Sequence, residues 1–204
     1  MVALSNYNLY DKFFYPPLVK FENKIPKMCV IISNSTLTEG AIERKKWINE
    51  FKNYFPCDFY GSLNKNKTFE EHGLPYVANQ FDHDGYAVKL AVINKYMFNF
   101  DMVNDTFADY ISERPYQSLL VGSIPILNCP NSKELMPHNS HINVNDFNND
   151  KKKIAEYLHK LTKNKNLYNK YFKWKSNKDQ PNLKKVLKYK PDKFIDNIID
   201  VVYN

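Results

Sequence analysis

Lys27-Met-Cys-Val-Ile-Ile-Ser33 is a short apolar run, rich in β-branched residues and bounded by polar ones. Without polar alternation, such a run reads as a strand buried on both faces, the kind found in parallel sheets. It is followed by Ala41-Ile-Glu-Arg-Lys-Lys-Trp-Ile-Asn-Glu-Phe51, where Ile42, Trp47, Ile48 and Phe51 recur near helical spacing. Thr38 is placed to cap the first turn of that helix. The same alternation continues along the chain. Cys57-Asp-Phe-Tyr60 reads as a second strand ending at Gly61, and a helical stretch over 87–95 leads into a strand over 96–102. A helix over 112–120 carries Pro115 in its first turn, where a missing N–H is tolerated. Strands are expected over 123–127 and 140–144. From Asp150 onward the pattern is helical, with Ile154, Tyr157, Leu158 and Leu161 on one apolar face and Tyr168, Tyr171 and Phe172 on another. This pattern predicts an α/β domain with a mostly parallel sheet. In such sheets ligands sit beyond the carboxyl ends of the strands.

Working outward, residues 1–26 read as an N-terminal arm, with Phe13-Phe-Tyr-Pro-Pro17 extended by its two prolines. Residues 27–177 form the α/β body. Residues 178–204 form a basic tail whose final amphipathic helix, over 194–202, packs back on the body. The chain has 204 residues, 43% apolar and 25% charged, which excludes a disordered tail, a collagen and a coiled coil. Apolar runs such as Cys29–Ile32 fall far short of the roughly 20 residues a bilayer span needs. No transmembrane segment is expected, and Met1-Val-Ala-Leu-Ser5 lacks the basic start of a signal peptide, so a soluble chain is expected with its compartment open. The net charge of +7 suits a nucleotide, a nucleic acid, an acidic glycan or a membrane surface, or simply a solvated lysine-rich exterior. Cys29, Cys57 and Cys129 have no metal-type spacing and read as small buried apolar residues.

There is no glycine-rich phosphate loop. A diphosphate can instead be held by arginine forks, and this lysine-rich chain has only two arginines, Arg44 and Arg114. Arg44 lies on the helix after the first strand and Arg114 opens the helix after the strand over 96–102. Glu113 stands beside Arg114, where an acid often holds a ribose or sugar hydroxyl, or else serves the helix dipole. His83 between Asp82 and Asp84 invites a metal reading, but no second ligand has suitable spacing, so no metal is expected. Tyr168, Tyr171, Trp174 and Tyr189 among lysines allow a second class, a basic RNA-binding module with stacking aromatics.

Taken together, Asp109-Tyr-Ile-Ser-Glu-Arg114, Gly122-Ser-Ile-Pro-Ile126, Asn143-Val-Asn-Asp-Phe147 and Tyr168-Asn-Lys-Tyr-Phe-Lys-Trp174 resemble the donor-binding half of the α-1,3-fucosyltransferases. Ser33-Asn34 followed by Arg44, and Asp58-Phe-Tyr-Gly61, are similar to further motifs of that family in the same order. The resemblance runs from about Lys27 to Trp174. It implies the Rossmann-like, C-terminal donor domain of a GT-B glycosyltransferase, GDP-fucose as donor, and inverting transfer of fucose to a glycan hydroxyl. Residue by residue, it implies that Arg44 and Arg114 bind the diphosphate, Arg114 replacing the family's Lys. Tyr110, Glu113 and Asn104 then belong to the donor site, with Glu113 near the ribose or the sugar as the catalytic candidate, favouring the oxocarbenium-like state. The resemblance implies no obligatory cofactor, no metal and no nucleic-acid partner.

Two positions depart from the family. Met97 and Val103 stand where it has Lys and Glu. Residues 1–26 are too few for the family's N-terminal domain, which carries the acceptor groove and the catalytic base. The expectation is therefore a fragment, one half of a split enzyme, a subunit completed by a second chain or domain, or a decayed copy. An inactive nucleotide-sugar-binding domain remains the alternative to an enzyme. Family members often sit in the Golgi, and the cytoplasm suits this chain too.

Overall fold

The strand read from 27–33 forms as β1 (Ile25–Val30) and becomes the second strand of a five-stranded sheet. The others are β2 (Cys57–Phe59), β3 (Tyr96–Phe100), β4 (Ile124–Leu127) and β5 (Ile142–Asn143), in the order β2-β1-β3-β4-β5. The computed structural model describes residues 13–33, 38–73, 83–104 and 111–188, with the backbone alone at 83–87 and 185–188. All four pairings are parallel, and β3 is central, with Cys29 opposite Asn99 and Asn99 opposite Pro125. Helices fill the crossovers: α1 (Glu39–Phe51), α2 (His83–Lys95), α3 (Arg114–Val121) and the short α4 (Ser132–Leu135). Then follow α5 (Lys151–Thr162), α6 (Lys165–Asn169) and α7 (Pro181–Lys188).

The sheet is buried on both faces, as the unbroken apolar runs require. Met28, Val30, Phe98, Phe100 and Ile126 pack with Ile48 and Phe51 of α1 and Ile154 and Leu158 of α5. Cys29, Ile31 and Leu127 pack on the other side with Leu90 and Ile93 of α2 and Leu119 and Leu120 of α3. Phe13 and Phe14 of the arm and Leu183 of α7 join this second cluster. All three cysteines are free thiols, Cys29 and Cys129 buried and Cys57 half-buried. The helix starts carry their own signals: Thr38 Oγ1 accepts from the Ala41 amide at 3.1 Å, and Asp150 accepts from the Lys152 and Lys153 amides. Each such cap contributes about 1 kcal/mol.

Several boundaries shift. β3 stops at Phe100 instead of 102, and β5 shrinks to two residues before a 3₁₀ turn over Val144–Phe147. α2 begins at His83, four residues early, and α3 at Arg114, two residues late. The buried face of α1 is Ala41, Arg44, Ile48 and Phe51, while Ile42 is exposed. Positions 41, 44, 48 and 51 lie on one helical stripe, and 42 falls about 100° away from 41. The helix expected over 194–202 lies outside the described residues.

Buried polar groups tie the edge of the sheet together. Asp58 of β2 accepts from the Lys27 ammonium at 3.0 Å and from the Tyr96 hydroxyl at 2.8 Å, and Tyr96 meets the Tyr60 hydroxyl at 2.6 Å. Two lysines are buried with carbonyl partners. Lys24 Nζ donates to the Asn94 carbonyl at 2.7 Å, and Lys175 Nζ to the Phe13 carbonyl at 2.6 Å. Burial lowers both ammonium groups from 10.5 to about 7. Between about pH 7 and 10.5 the unfolded chain therefore holds more protons than the folded one at these two sites, so stability rises with pH there. Above roughly pH 8.5 the cysteines oppose this, because burial pushes the Cys57 thiol up to about 12. We expect urea unfolding to show a gain on the order of 1 kcal/mol per lysine from pH 7 to 8.5. Lys24→Met combined with Lys175→Met should remove most of that gain. A flat wild-type profile would count against the assignment.

Candidate functional site

Beyond Val30 the chain leaves the sheet toward α1 on one face, and beyond Phe100 it leaves toward α3 on the other. Neighbouring parallel strands that part in this way open a crevice at their carboxyl ends. One wall of that crevice is the extension of β3 through Asp101, Met102, Val103 and Asn104. It is pinned from both sides. Arg44 Nη1 donates to the Met102 carbonyl at 3.2 Å, and Thr38 Oγ1 donates to the Asn104 carbonyl at 3.2 Å. From beyond β4, Asn128 Oδ1 accepts the Val103 amide at 3.0 Å, and the Asp101 amide donates to the Ile126 carbonyl.

Arg44 is only 2% exposed, on the apolar face of α1. A guanidinium among Ile48, Phe51 and Trp47 contributes little to packing that methionine would not, so its presence there points to an anion or a fixed backbone contact. Asn104 is half-buried, and its Oδ1 is buried without a partner among the described residues. Arg114 is the first residue of α3, and Glu113 precedes it without capping that helix through its side chain. Both are half-buried. Tyr110 lies outside the described residues. Met97 and Val103 are both 3% exposed in the apolar interior, where the resembled family would bring two charges.

A buried polar cluster lies beneath Glu113 and Arg114. One turn further along the same face of α3 come Gln117 and Ser118. Gln117 Oε1 accepts from Lys89 Nζ of α2 at 2.9 Å. Ser118 Oγ donates to Asp101 Oδ2 at 2.6 Å, and Asn99 Nδ2 donates to Asp101 Oδ1 at 2.7 Å. Burial raises the Asp101 carboxyl to about 6, opposed by the Ser118 bond and by the charges of Lys89 and Arg114. Burial lowers the Lys89 ammonium to about 8, Arg114 pushing the same way and Glu113 and Asp101 opposing. No motif flags this cluster. Its one sequence signal is a lone acid closing the apolar stretch Tyr96–Phe100.

A shallow cavity of about 390 Å³ lies elsewhere, at β5, lined by His141, Asn143, Asp146, Phe147, Tyr157 and Tyr171 among others. It touches none of Arg44, Asn104, Glu113 or Arg114. Tyr168 and Trp174, candidate stacking platforms for RNA, are instead buried at 1% and 5% exposure. Among the described residues, no three His, Cys, Asp or Glu side chains gather in a metal-like group, and no helix is long and apolar enough to cross a membrane.

Comparison with known proteins finds relatives of the chain. Residues 21–195 match the family model described as glycosyltransferase family 10 (fucosyltransferase) C-term. The chain is 35% identical to alpha-(1,3)-fucosyltransferase B of Drosophila melanogaster over 68% of its own length and 31% of that protein. It is 32% identical to GDP-fucose protein O-fucosyltransferase 3 of Danio rerio, over 78% of its own length and 35% of that protein. A crystal structure of an alpha1,3-fucosyltransferase with GDP-fucose is similar in fold, with a TM-score of 0.54 at 20% identity, covering 74% of this chain and 40% of that one. The chain thus spans about a third of the length of these curated relatives.

Proposed function

The chain belongs to the fucosyltransferases of glycosyltransferase family 10, and we propose that it supplies the GDP-fucose-binding half of such an enzyme. The donor-binding unit we assign is residues 27–177. The observation that carries this reading is the buried Arg44 guanidinium at the parting of β1 and β3, inside the stretch that matches the family.

In the proposed reaction an acceptor hydroxyl, on a glycan, attacks the anomeric carbon of fucose. The bond from that carbon to the β-phosphate oxygen breaks, its electron pair leaves with GDP, and the configuration inverts. Arg44 and Arg114 offset the charge that grows on the diphosphate. Glu113 faces the electron-poor sugar and favours its oxocarbenium-like state, while Tyr110 and Asn104 shape the sugar and ribose site. Two guanidinium groups do for the leaving group what a divalent cation does in other transferases, so we propose transfer without an obligatory metal or cofactor. The hydroxyl proton needs a base. We assign the base and the acceptor site to a second domain or chain.

The test is calorimetric titration of the folded chain with GDP-fucose, with UDP-galactose as control. Saturable binding of GDP-fucose alone is expected. Equal binding of both, or neither, would overturn the reading.

A further inference from the structure

The cavity at β5 plays no part in the donor-site reading, and its lining differs in kind from the crevice. Its walls come from the end strand of the sheet, the 3₁₀ turn over Val144–Phe147, α5, α6 and the segment that follows α6. Three aromatic side chains line it. The Phe147 and Tyr157 rings stand 5.5 Å apart with their planes inclined at 44°, and the Tyr157 hydroxyl meets that of Tyr171 at 2.8 Å. Only one of those two hydroxyls can donate to the other, so the second O–H is left for solvent or a ligand. The polar groups of the lining are held in place by bonds of their own. His141 Nε2 is bonded to Ser132 Oγ at 2.9 Å, and Asn143 Nδ2 donates to the same oxygen at 2.8 Å. Asp146 Oδ1 accepts from Lys133 Nζ at 2.9 Å, which leaves Oδ2 to accept elsewhere.

The charges of the lining cancel. Asp146 and Lys170 are its only charged residues, and burial lowers the His141 imidazole from 6.5 to about 4, which keeps it neutral at pH 7. An anion site carries an excess of cations, and this lining has none. An apolar partner segment fits no better, because the polar groups would be buried against it without partners. A pyranose carries both surfaces that the lining can meet. Its C–H face packs on aromatic rings, and its hydroxyls both donate and accept. A volume of about 390 Å³ lies near the low end of small-molecule pockets and admits about two sugar rings. We propose that the β5 cavity is a binding site for neutral carbohydrate, separate from the donor crevice, that takes one or two sugar residues of a glycan. Its use, to hold part of the acceptor, rests on the reading of this chain as the donor-binding half of a fucosyltransferase. Its shallow shape lets a longer glycan run out over the surface.

The test is titration of the full chain with two neutral disaccharides, lactose and N,N′-diacetylchitobiose, followed through the NMR signals of the aromatic rings, with glucuronate as the anionic control. Saturable shifts centred on Phe147, Tyr157 and Tyr171 are expected for at least one disaccharide, with a dissociation constant of about 1 mM. Tyr157→Phe combined with Tyr171→Phe keeps both rings and removes both hydroxyls. It should weaken that binding about fivefold and leave GDP-fucose affinity unchanged. Asp146→Ala, at an exposed position, serves if that variant does not fold, and should weaken sugar binding about tenfold. No shift up to about 50 mM sugar, shifts centred on other surfaces, binding that is unchanged in the variants, or glucuronate bound as tightly as the disaccharides would each overturn the inference. GDP-fucose binding without sugar binding overturns this inference alone. Sugar binding at the cavity of a folded chain that does not take GDP-fucose overturns the donor-site reading and leaves the carbohydrate site standing.

Discussion

Replacing Gly61 with alanine should cost the chain about 3 kcal/mol or more of stability. Gly61 follows β2 and crosses directly over the continuation of β1. A Cβ built there would lie 2.0 Å from the Ile32 carbonyl oxygen and 2.5 Å from the carbonyl carbon. Neither contact involves a side chain that can swing away, so β1 or the turn itself must move. Overpacking against side chains typically costs 1–3 kcal/mol, and backbone against backbone lies at or above the top of that range. For a chain of this size the melting temperature should fall by roughly 6–12 °C. Gly73→Ala is the control: it has positive φ but open space around it, so only the roughly 1 kcal/mol of left-handed strain is expected. A Gly61→Ala melt within 2 °C or so of wild type would refute the crossing.

The second large effect is on binding. Arg44→Met should weaken GDP-fucose binding by about a hundredfold, the order expected when one partner of a desolvated charge pair is removed. Stability should fall by only about 1–2 kcal/mol, because methionine fills the apolar stripe and leaves no buried charge behind, while the Met102 carbonyl loses one donor. Arg44→Lys should fail nearly as badly, since an ammonium lacks the fork that meets a phosphate pair and a backbone carbonyl together. The two measurements separate the two roles of Arg44. If it serves only to pin the Met102 carbonyl, the melt will drop and the affinity will hold.

Much of this was legible in the residues. Unbroken β-branched runs predicted a parallel sheet buried on both faces, and Thr38 marked the start of α1. Arg44 stood out because arginine is scarce in this chain, and its place on the apolar stripe of α1 strengthens that signal. Ile42 is apolar yet exposed, because its angle on the helix, which residue identity does not carry, sets it off the buried stripe. β5 is shorter than its sequence suggests because Val144, apolar and β-branched, opens a 3₁₀ turn where a strand would otherwise continue. Lys89 was invisible among so many lysines, since what distinguishes it is a contact with Gln117 on another helix. Asp101 differs from a surface aspartate only through burial, which no local pattern specifies.

The clasp between the two ends of the described chain sets a schedule for synthesis. The Phe13 carbonyl meets the Lys175 ammonium, and the Phe14 ring stands edge-on to Trp174, partners some 160 residues apart. At roughly 5–20 residues per second, the first partner waits about 8–30 s for the second to be made. Over the last third or so of that interval, from the synthesis of α3 to that of Trp174, the apolar side of α3 lacks the Trp174 side chain of its cluster. The nascent chain therefore offers chaperones a hydrophobic surface until the stretch around Trp174 emerges, and a ribosome that pauses just before that stretch leaves the surface bare the longest.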